Sequence, residues 1–369
     1  MEILDSTLRE GEQTPGISFT IDQKVAIAKR LDAFGVNFIE LGHPAVSPDV
    51  YEAVEILNDL NLNAKKIAHG CASKSDINNV AAIGVSWMGI FFGTSPLSLK
   101  HKFNMTKSDA LARIETAIKY GKDKGLLLRF TAEDASRTDF GFLIKVGQLV
   151  QKAGADRFSL ADTVGCLTPT KIKKLVDRMV TELDIPIHVH CHNDFGMATA
   201  NAISALEAGA QCVDVTVNGL GERCGLPPLA EVTTALAELM KVNNYWKLGI
   251  LPELSELVNT FSGGVSTVNQ PIVGKNAFTH KAGLHVKAVL LEPKSYEAIS
   301  PEKVHRKRHL VIDKYTGRFA LKNKLDSLNL KVNKQILNRI LKEIKAQPNI
   351  VNWTDKALIS LAKTMGIKA

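Results

Sequence analysis

Glu2-Ile3-Leu4-Asp5-Ser6-Thr7-Leu8-Arg9-Glu10-Gly11-Glu12 opens the chain as an apolar, strand-like run that ends in a charged turn. An alternating α/β chain that starts this way leads either to an open doubly wound sheet or to a closed barrel. The open sheet normally marks its first turn with a glycine-rich loop that cradles a phosphate. Here Arg9-Glu10-Gly11-Glu12 occupies that turn, and its acidic residues would repel a phosphate. Further short apolar or β-branched runs follow at 37–42, 64–69, 87–93, 126–133, 157–163, 185–193 and 212–219, with helical-period segments such as 25–34, 108–119, 142–152 and 199–208 between them. Capping residues such as Thr20-Ile21-Asp22-Gln23 and Ser73-Lys74-Ser75-Asp76 start helices, and Gly35, Gly84, Gly125, Gly154 and Gly209 punctuate their ends. Roughly eight such units predict a (β/α)8 TIM barrel, whose active site collects at the carboxyl ends of the strands.

A barrel of about 250 residues does not fill 369, and the alternation stops near Gly263. Residues 319–328, 333–347 and 354–365 then read as lysine-rich amphipathic helices, a small, mainly helical C-terminal region. The expected organisation is a catalytic barrel over 1–262, a linking subdomain over 263–325 and a helical tail over 326–369.

Hydrophobic content of 45% and charged content of 23% are ordinary globular values, and no apolar run approaches the ~20 residues needed to cross a bilayer. The five cysteines are scattered and odd in number, and the first residues lack a basic, apolar leader, so a cytoplasmic enzyme with no membrane partner is expected. The net charge of +8 is densest in Lys303-Val304-His305-Arg306-Lys307-Arg308-His309. Without interleaved aromatics this run reads as a solvated loop or an anionic-cofactor contact, and no nucleic-acid partner is expected.

In His188-Val189-His190-Cys191-His192 the three imidazoles share one side of a strand, because side chains alternate with period two. Three rings in an otherwise apolar strand are costly without a shared partner. His190 and His192 lie nearest the strand end, and with Glu10 they make a set of metal ligands that accepts magnesium, manganese, cobalt or zinc. Asp5 is read as an outer acceptor that orients a ligand. Arg9 stands beside the set as an electrophile-activating cation.

Four ordered motifs now carry a resemblance: the first segment, His190-Cys191-His192-Asn193-Asp194, Asn218-Gly219-Leu220-Gly221-Glu222-Arg223, and His280-Lys281-Ala282-Gly283-Leu284-His285. Together they resemble the isopropylmalate/homocitrate synthase family of metal-dependent Claisen-condensing barrels, over the chain to about residue 325. The resemblance implies condensation of acetyl-CoA with a 2-oxo acid on a divalent metal. It also implies a homodimer in which the subdomain after the barrel serves as a lid over the partner's active site. His285 is the family-matched base, with Glu133 its partner in the proton network. His69, Thr131 and Thr163 match substrate-binding positions.

Substrate choice turns on Arg129. Family members that use 2-oxoisovalerate usually carry a glutamate there, and an asparagine at the position of Leu226. Arg129, Thr131 and Glu133 share a strand face, and a cation inside a barrel suits a second carboxylate, most simply that of 2-oxoglutarate. The competing reading spends Arg129 on an internal salt bridge with Glu133 or Asp162. His43, in Glu40-Leu41-Gly42-His43-Pro44, stands where smaller residues are common, and the sequence gives it no role.

Overall fold

The computed structural model describes residues 1–264 and 266–367, which form two compact units, Met1–Ser266 and Thr267–Ala369. In the first, β1 (Glu2–Asp5), β2 (Phe38–Glu40), β3 (Lys65–Cys71), β4 (Trp87–Gly93), β5 (Leu127–Glu133), β6 (Arg157–Asp162), β7 (Ile187–Cys191) and β8 (Cys212–Val215) close in sequence order into a barrel. All neighbouring pairs are parallel, including β8 with β1. Eight helices alternate with the strands, α1 (Ile21–Phe34), α2 (Pro48–Asp59), α3 (Lys74–Ile83), α4 (Lys107–Asp123), α5 (Phe140–Lys152), α6 (Pro169–Glu182), α7 (Ala198–Glu207) and α8 (Leu229–Glu238), and α9 (Leu251–Phe261) follows.

The helix starts follow their local chemistry. Thr20 and Gln23 make a reciprocal capping box on α1, Thr106 and Asp109 do the same on α4, and proline occupies the first turn of α2 and α6. Four strands are clearly shorter than the sequence suggests: β2 spans 38–40 against 37–42, β7 spans 187–191 against 185–193, and β1 and β8 stop early at their carboxyl ends. β1 ends at Asp5 because the chain turns there, with Ser6 O accepting from both Arg9 N and Gly11 N, so Arg9 and Glu10 sit on a turn over the barrel mouth. β8 likewise stops at Val215, and Asn218 adopts a left-handed φ of 61° in the loop beyond.

Period two sorts the barrel interior into layers. Leu4, Phe38, Ile67 and Cys212, with Trp87 against them, form an apolar floor. Two residues further along the strands the positions of that face turn polar: Glu40 on β2, His69 on β3 and Asp214 on β8. Arg129 on β5 and His190 on β7 join this layer through Asp214. The loop after β8 closes over it, and glycine is required there. Gly225 has φ +74°, and a Cβ at that position would lie 1.8 Å from Gly219 O.

In the second unit β9 (Thr279–His280) pairs in parallel with β10 (His309–Leu310), and α10 (Gly283–Leu291) lies between them in sequence. Helices α11 (Arg318–Ser327), α12 (Lys334–Ala346) and α13 (Asp355–Thr364) bury a core that includes Leu321, Leu325, Leu337, Ile340, Ile344, Trp353 and Leu358. The two arginines of the basic run are engaged within the unit: Arg308 forks onto Glu297, which also bonds His280, and Arg306 donates to Gly274 O. The positive charge of the chain is carried by the second unit, residues 267–369, where twenty Lys and Arg face seven Asp and Glu. Residues 1–266 hold 26 Lys and Arg against 31 Asp and Glu, so the net positive charge is not a property of the barrel. Among the described residues no helix is long and apolar enough to cross a membrane.

Candidate active site

A cavity of about 280 Å³ opens at the carboxyl ends of the strands, lined by Arg9, Glu10, Gln13, His69, Phe91, Lys102, Arg129, Thr131, Glu133, Ala161, Thr163, His190, His192 and Glu222. It gathers nine residues singled out from the sequence: Arg9, Glu10, His69, Arg129, Thr131, Glu133, Thr163, His190 and His192. The tenth, His285, belongs to the second unit, exposed on α10 with its ring against Tyr296 at 4.1 Å between centroids.

At one end, ligand atoms of Glu10, His190 and His192 lie within 4.8 Å of one another, and each histidine Nε2 is 4.0 Å from a Glu10 oxygen. Burial alone would raise the Glu10 pKa, but Arg9, His190 and His192 outweigh it and bring it down to about 2. Burial first, then His190, pushes His192 down to about 3, so its ring is neutral at ordinary pH. One ionised carboxylate and imidazole nitrogens on a shared opening are a donor set that fits a divalent ion and leaves coordination positions for a substrate. Glu10 is fixed in turn by Glu222 N, which donates to its Oε1 at 3.1 Å. His188 lies deeper, where its Nε2 accepts from Arg157 at 2.8 Å, and it takes no part in the set.

Two carboxylates absent from the sequence-derived set hold this layer together. Asp214 accepts His190 Nδ1–H at 2.9 Å and takes Arg129 end-on, with Nη2 at 2.7 Å and Nη1 at 3.2 Å. It therefore fills the outer-acceptor role expected of Asp5, whose Oδ1 instead accepts from Thr7 N while burial raises its pKa to about 7. The salt bridge of Arg129 runs to Asp214, not to Glu133 or Asp162. Its Nε–H has no hydrogen-bond partner, nor has Thr131 Oγ1, although both atoms are buried. Asp162 is engaged elsewhere, accepting from Cys166 N and Leu167 N.

Glu40, fully buried on β2, accepts from Ser6 Oγ, from Arg9 Nε at 2.8 Å and from His69 Nδ1 at 3.0 Å. Burial would raise its pKa, yet Arg9 and then His69 hold it well below the usual carboxylate range. Arg9 is clamped between Glu40 and Glu10. His69 is pushed down to about 4 by burial and by Arg9, against the pull of Glu40, so its ring is neutral. With Nδ1–H donated to Glu40, Nε2 carries a lone pair. His43 gains an account here: its Nε2 lies 2.8 Å from Asp76, and its ring stands edge-on to His69 at 5.8 Å.

Lys102 was not among the sequence candidates. It lies on a π-helical turn, Ser98–Phe103, reaches both oxygens of Glu133 at 2.8 and 2.9 Å, and rests over Phe91 and Phe103. Thr163 Oγ1 accepts from Asp134 N, and its carbonyl accepts from Arg223, which also forks onto Asp194.

Comparison with known proteins follows the same division of the chain. An HMGL-like family model matches residues 1–258, and a homocitrate synthase post-HMGL domain-like model matches residues 272–351. A homocitrate synthase of Sulfurisphaera tokodaii is 45% identical over 373 residues, covering 98% of this chain and 80% of the relative. That of Saccharolobus solfataricus is 45% identical over 366 residues, covering 98% and 79%. The chain belongs to the homocitrate synthase family. Among solved structures, the HMG-CoA lyase of Brucella melitensis is 21% identical with a TM-score of 0.64 over 71% of this chain and 98% of its own, a likeness of fold.

Glu40 gives a direct test of this layer. Glu40→Ala leaves Arg9 Nε, Ser6 Oγ and His69 Nδ1 without their acceptor. Losing one partner of a buried ion pair costs up to about 3–5 kcal/mol, and the bond that Arg9 keeps to Glu10 brings the expected loss towards the lower end. The expected outcome is a clear fall in the urea midpoint followed by circular dichroism, and a wild-type midpoint would contradict it.

Proposed function

We propose that the protein is a homocitrate synthase, an acyltransferase that condenses acetyl-CoA with 2-oxoglutarate and water to give homocitrate and CoA. Family membership supports the reaction. The observation that carries the substrate is the unfilled edge of Arg129: two of its five N–H donors are spent on Asp214, while the Nε–H has no partner on a side chain that lines the cavity.

Glu10, His190 and His192 are the residues that would hold a divalent cation, be it magnesium, manganese, cobalt or zinc. Bound there, the ion supplies Lewis-acid polarisation of the 2-oxo acid. Arg129, with Thr131, Thr163 and His69, binds the substrate carboxylates, Arg129 taking the one remote from the ketone. His285 removes a proton from the acetyl methyl, and the resulting enolate carbon forms a bond to the ketone carbon. Arg9, held in place by Glu40 and Glu10, stabilises the charge that develops on the ketone oxygen. Glu133, tied to Lys102, is the partner group in proton traffic. Water then cleaves the thioester and releases CoA. In this reading the subdomain over 263–325 acts as a lid, the tail over 326–369 completes that unit, and the enzyme works as a cytoplasmic homodimer.

Two measurements test the reading. CoA release from acetyl-CoA should require an added divalent ion after metal stripping, and should favour 2-oxoglutarate over 2-oxoisovalerate, pyruvate and oxaloacetate. Arg129→Gln should lower kcat/KM for 2-oxoglutarate on the order of a hundredfold. A preference for 2-oxoisovalerate or pyruvate would keep the chemistry and sink the substrate, whereas cleavage without condensation would point to a lyase.

The second concerns pH. His69 enters the free site neutral, with a pKa of about 4, and a carboxylate placed against its Nε2 favours the protonated ring. Binding of 2-oxoglutarate should therefore take up a proton, and KM should rise as pH climbs from about 4 towards neutrality. Calorimetry in buffers of different ionisation enthalpy reads this uptake; a binding enthalpy independent of buffer would contradict it.

A further inference from the structure

Asp214 holds both ends of the cavity at once. Its Oδ2 is shared by His190 Nδ1 and Arg129 Nη2, its Oδ1 takes Arg129 Nη1, and the side chain is fully buried on β8. One carboxylate thereby fixes the ring of one candidate metal ligand and the plane of the guanidinium assigned to the substrate. The His190 ring presents its other nitrogen towards Glu10, and the free Nε–H of Arg129 lies on the edge away from the end-on pair. Three donors converge on this group, and only a carboxylate can accept them all. An amide at this position would turn N–H bonds against those of Arg129. The side chain lines no part of the cavity itself, so its influence passes through its two neighbours.

Resting on the proposed function, the geometry points to Asp214 as a positioning residue that couples cation binding to recognition of the remote substrate carboxylate. Removing its charge weakens both together. A group that merely stabilised the barrel would lower stability and active fraction without moving either affinity.

The test uses Asp214→Asn in the full chain. Stripped of metal and titrated with Mn²⁺ against a competing chelator, the variant should bind roughly 10–100-fold more weakly than wild type, the usual consequence of losing the group that orients a metal-binding histidine. At saturating Mn²⁺, KM for 2-oxoglutarate should rise by a larger factor than kcat falls. A folded variant with wild-type Mn²⁺ affinity, or with kcat lost and KM unchanged, overturns the proposal.

If Asp214→Asn does not fold, Arg129→Gln/Asp214→Asn removes both buried charges and is compared with Arg129→Gln alone. Mn²⁺ affinity roughly tenfold or more below that of Arg129→Gln supports the arm of the coupling that runs through His190, and equal affinities overturn the proposal. Failure of the underlying functional reading shows separately, in wild-type protein that binds no Mn²⁺ or releases no CoA with 2-oxoglutarate.

Discussion

The site depends on two buried carboxylates, each shared between an arginine and a histidine one layer above the apolar floor of the barrel. Glu40 joins Arg9 to His69, and Asp214 joins Arg129 to His190. A lone guanidinium in that environment would carry a desolvation penalty that packing alone cannot offset. Pairing offsets part of that penalty and fixes direction as well. Each histidine gives Nδ1 to a carboxylate and keeps Nε2 for whatever enters the cavity. Each arginine is held in one plane with donors left over.

That arrangement separates the cavity into chemically distinct ends. Glu10, His190 and His192 place an ionised carboxylate and imidazole nitrogens at one end, a donor set for a hard or borderline cation. Arg129 and Thr131 bring unsatisfied donors to the other, and His69 a neutral imidazole. A small molecule with a chelating 2-oxo acid head and a second carboxylate matches both ends. Arg9, fixed between Glu10 and Glu40, sits with the ligand set and so beside the reacting ketone in the proposed reaction.

Much of this was legible in the sequence, for reasons that can be named. Period two put His190 and His192 on one strand face and Arg129, Thr131 and Glu133 on another, and the acidic turn at Glu10 excluded a phosphate loop. Strand alternation likewise revealed the barrel. Asp214 and Glu40 went unassigned because each stands alone in an apolar strand, in Cys212-Val213-Asp214-Val215 and Phe38-Ile39-Glu40. A lone charge in such a strand demands a partner, but nothing local names it: Glu40 and Arg9 are 31 residues apart, Asp214 and Arg129 are 85 apart. Lys102 was hidden by a π-helical turn, which has no periodic signature, and the early end of β1 by a turn whose hydrogen bonds converge on Ser6 O.

The most direct measurement is a crystal structure of the protein with a divalent ion and 2-oxoglutarate. The account predicts the ion on Glu10, His190 and His192, the Asp214 bonds to Arg129 and His190 intact, and the remote carboxylate on the Nε edge of Arg129. An ion held elsewhere, or a carboxylate that reaches Arg129 only by displacing Asp214, would contradict it.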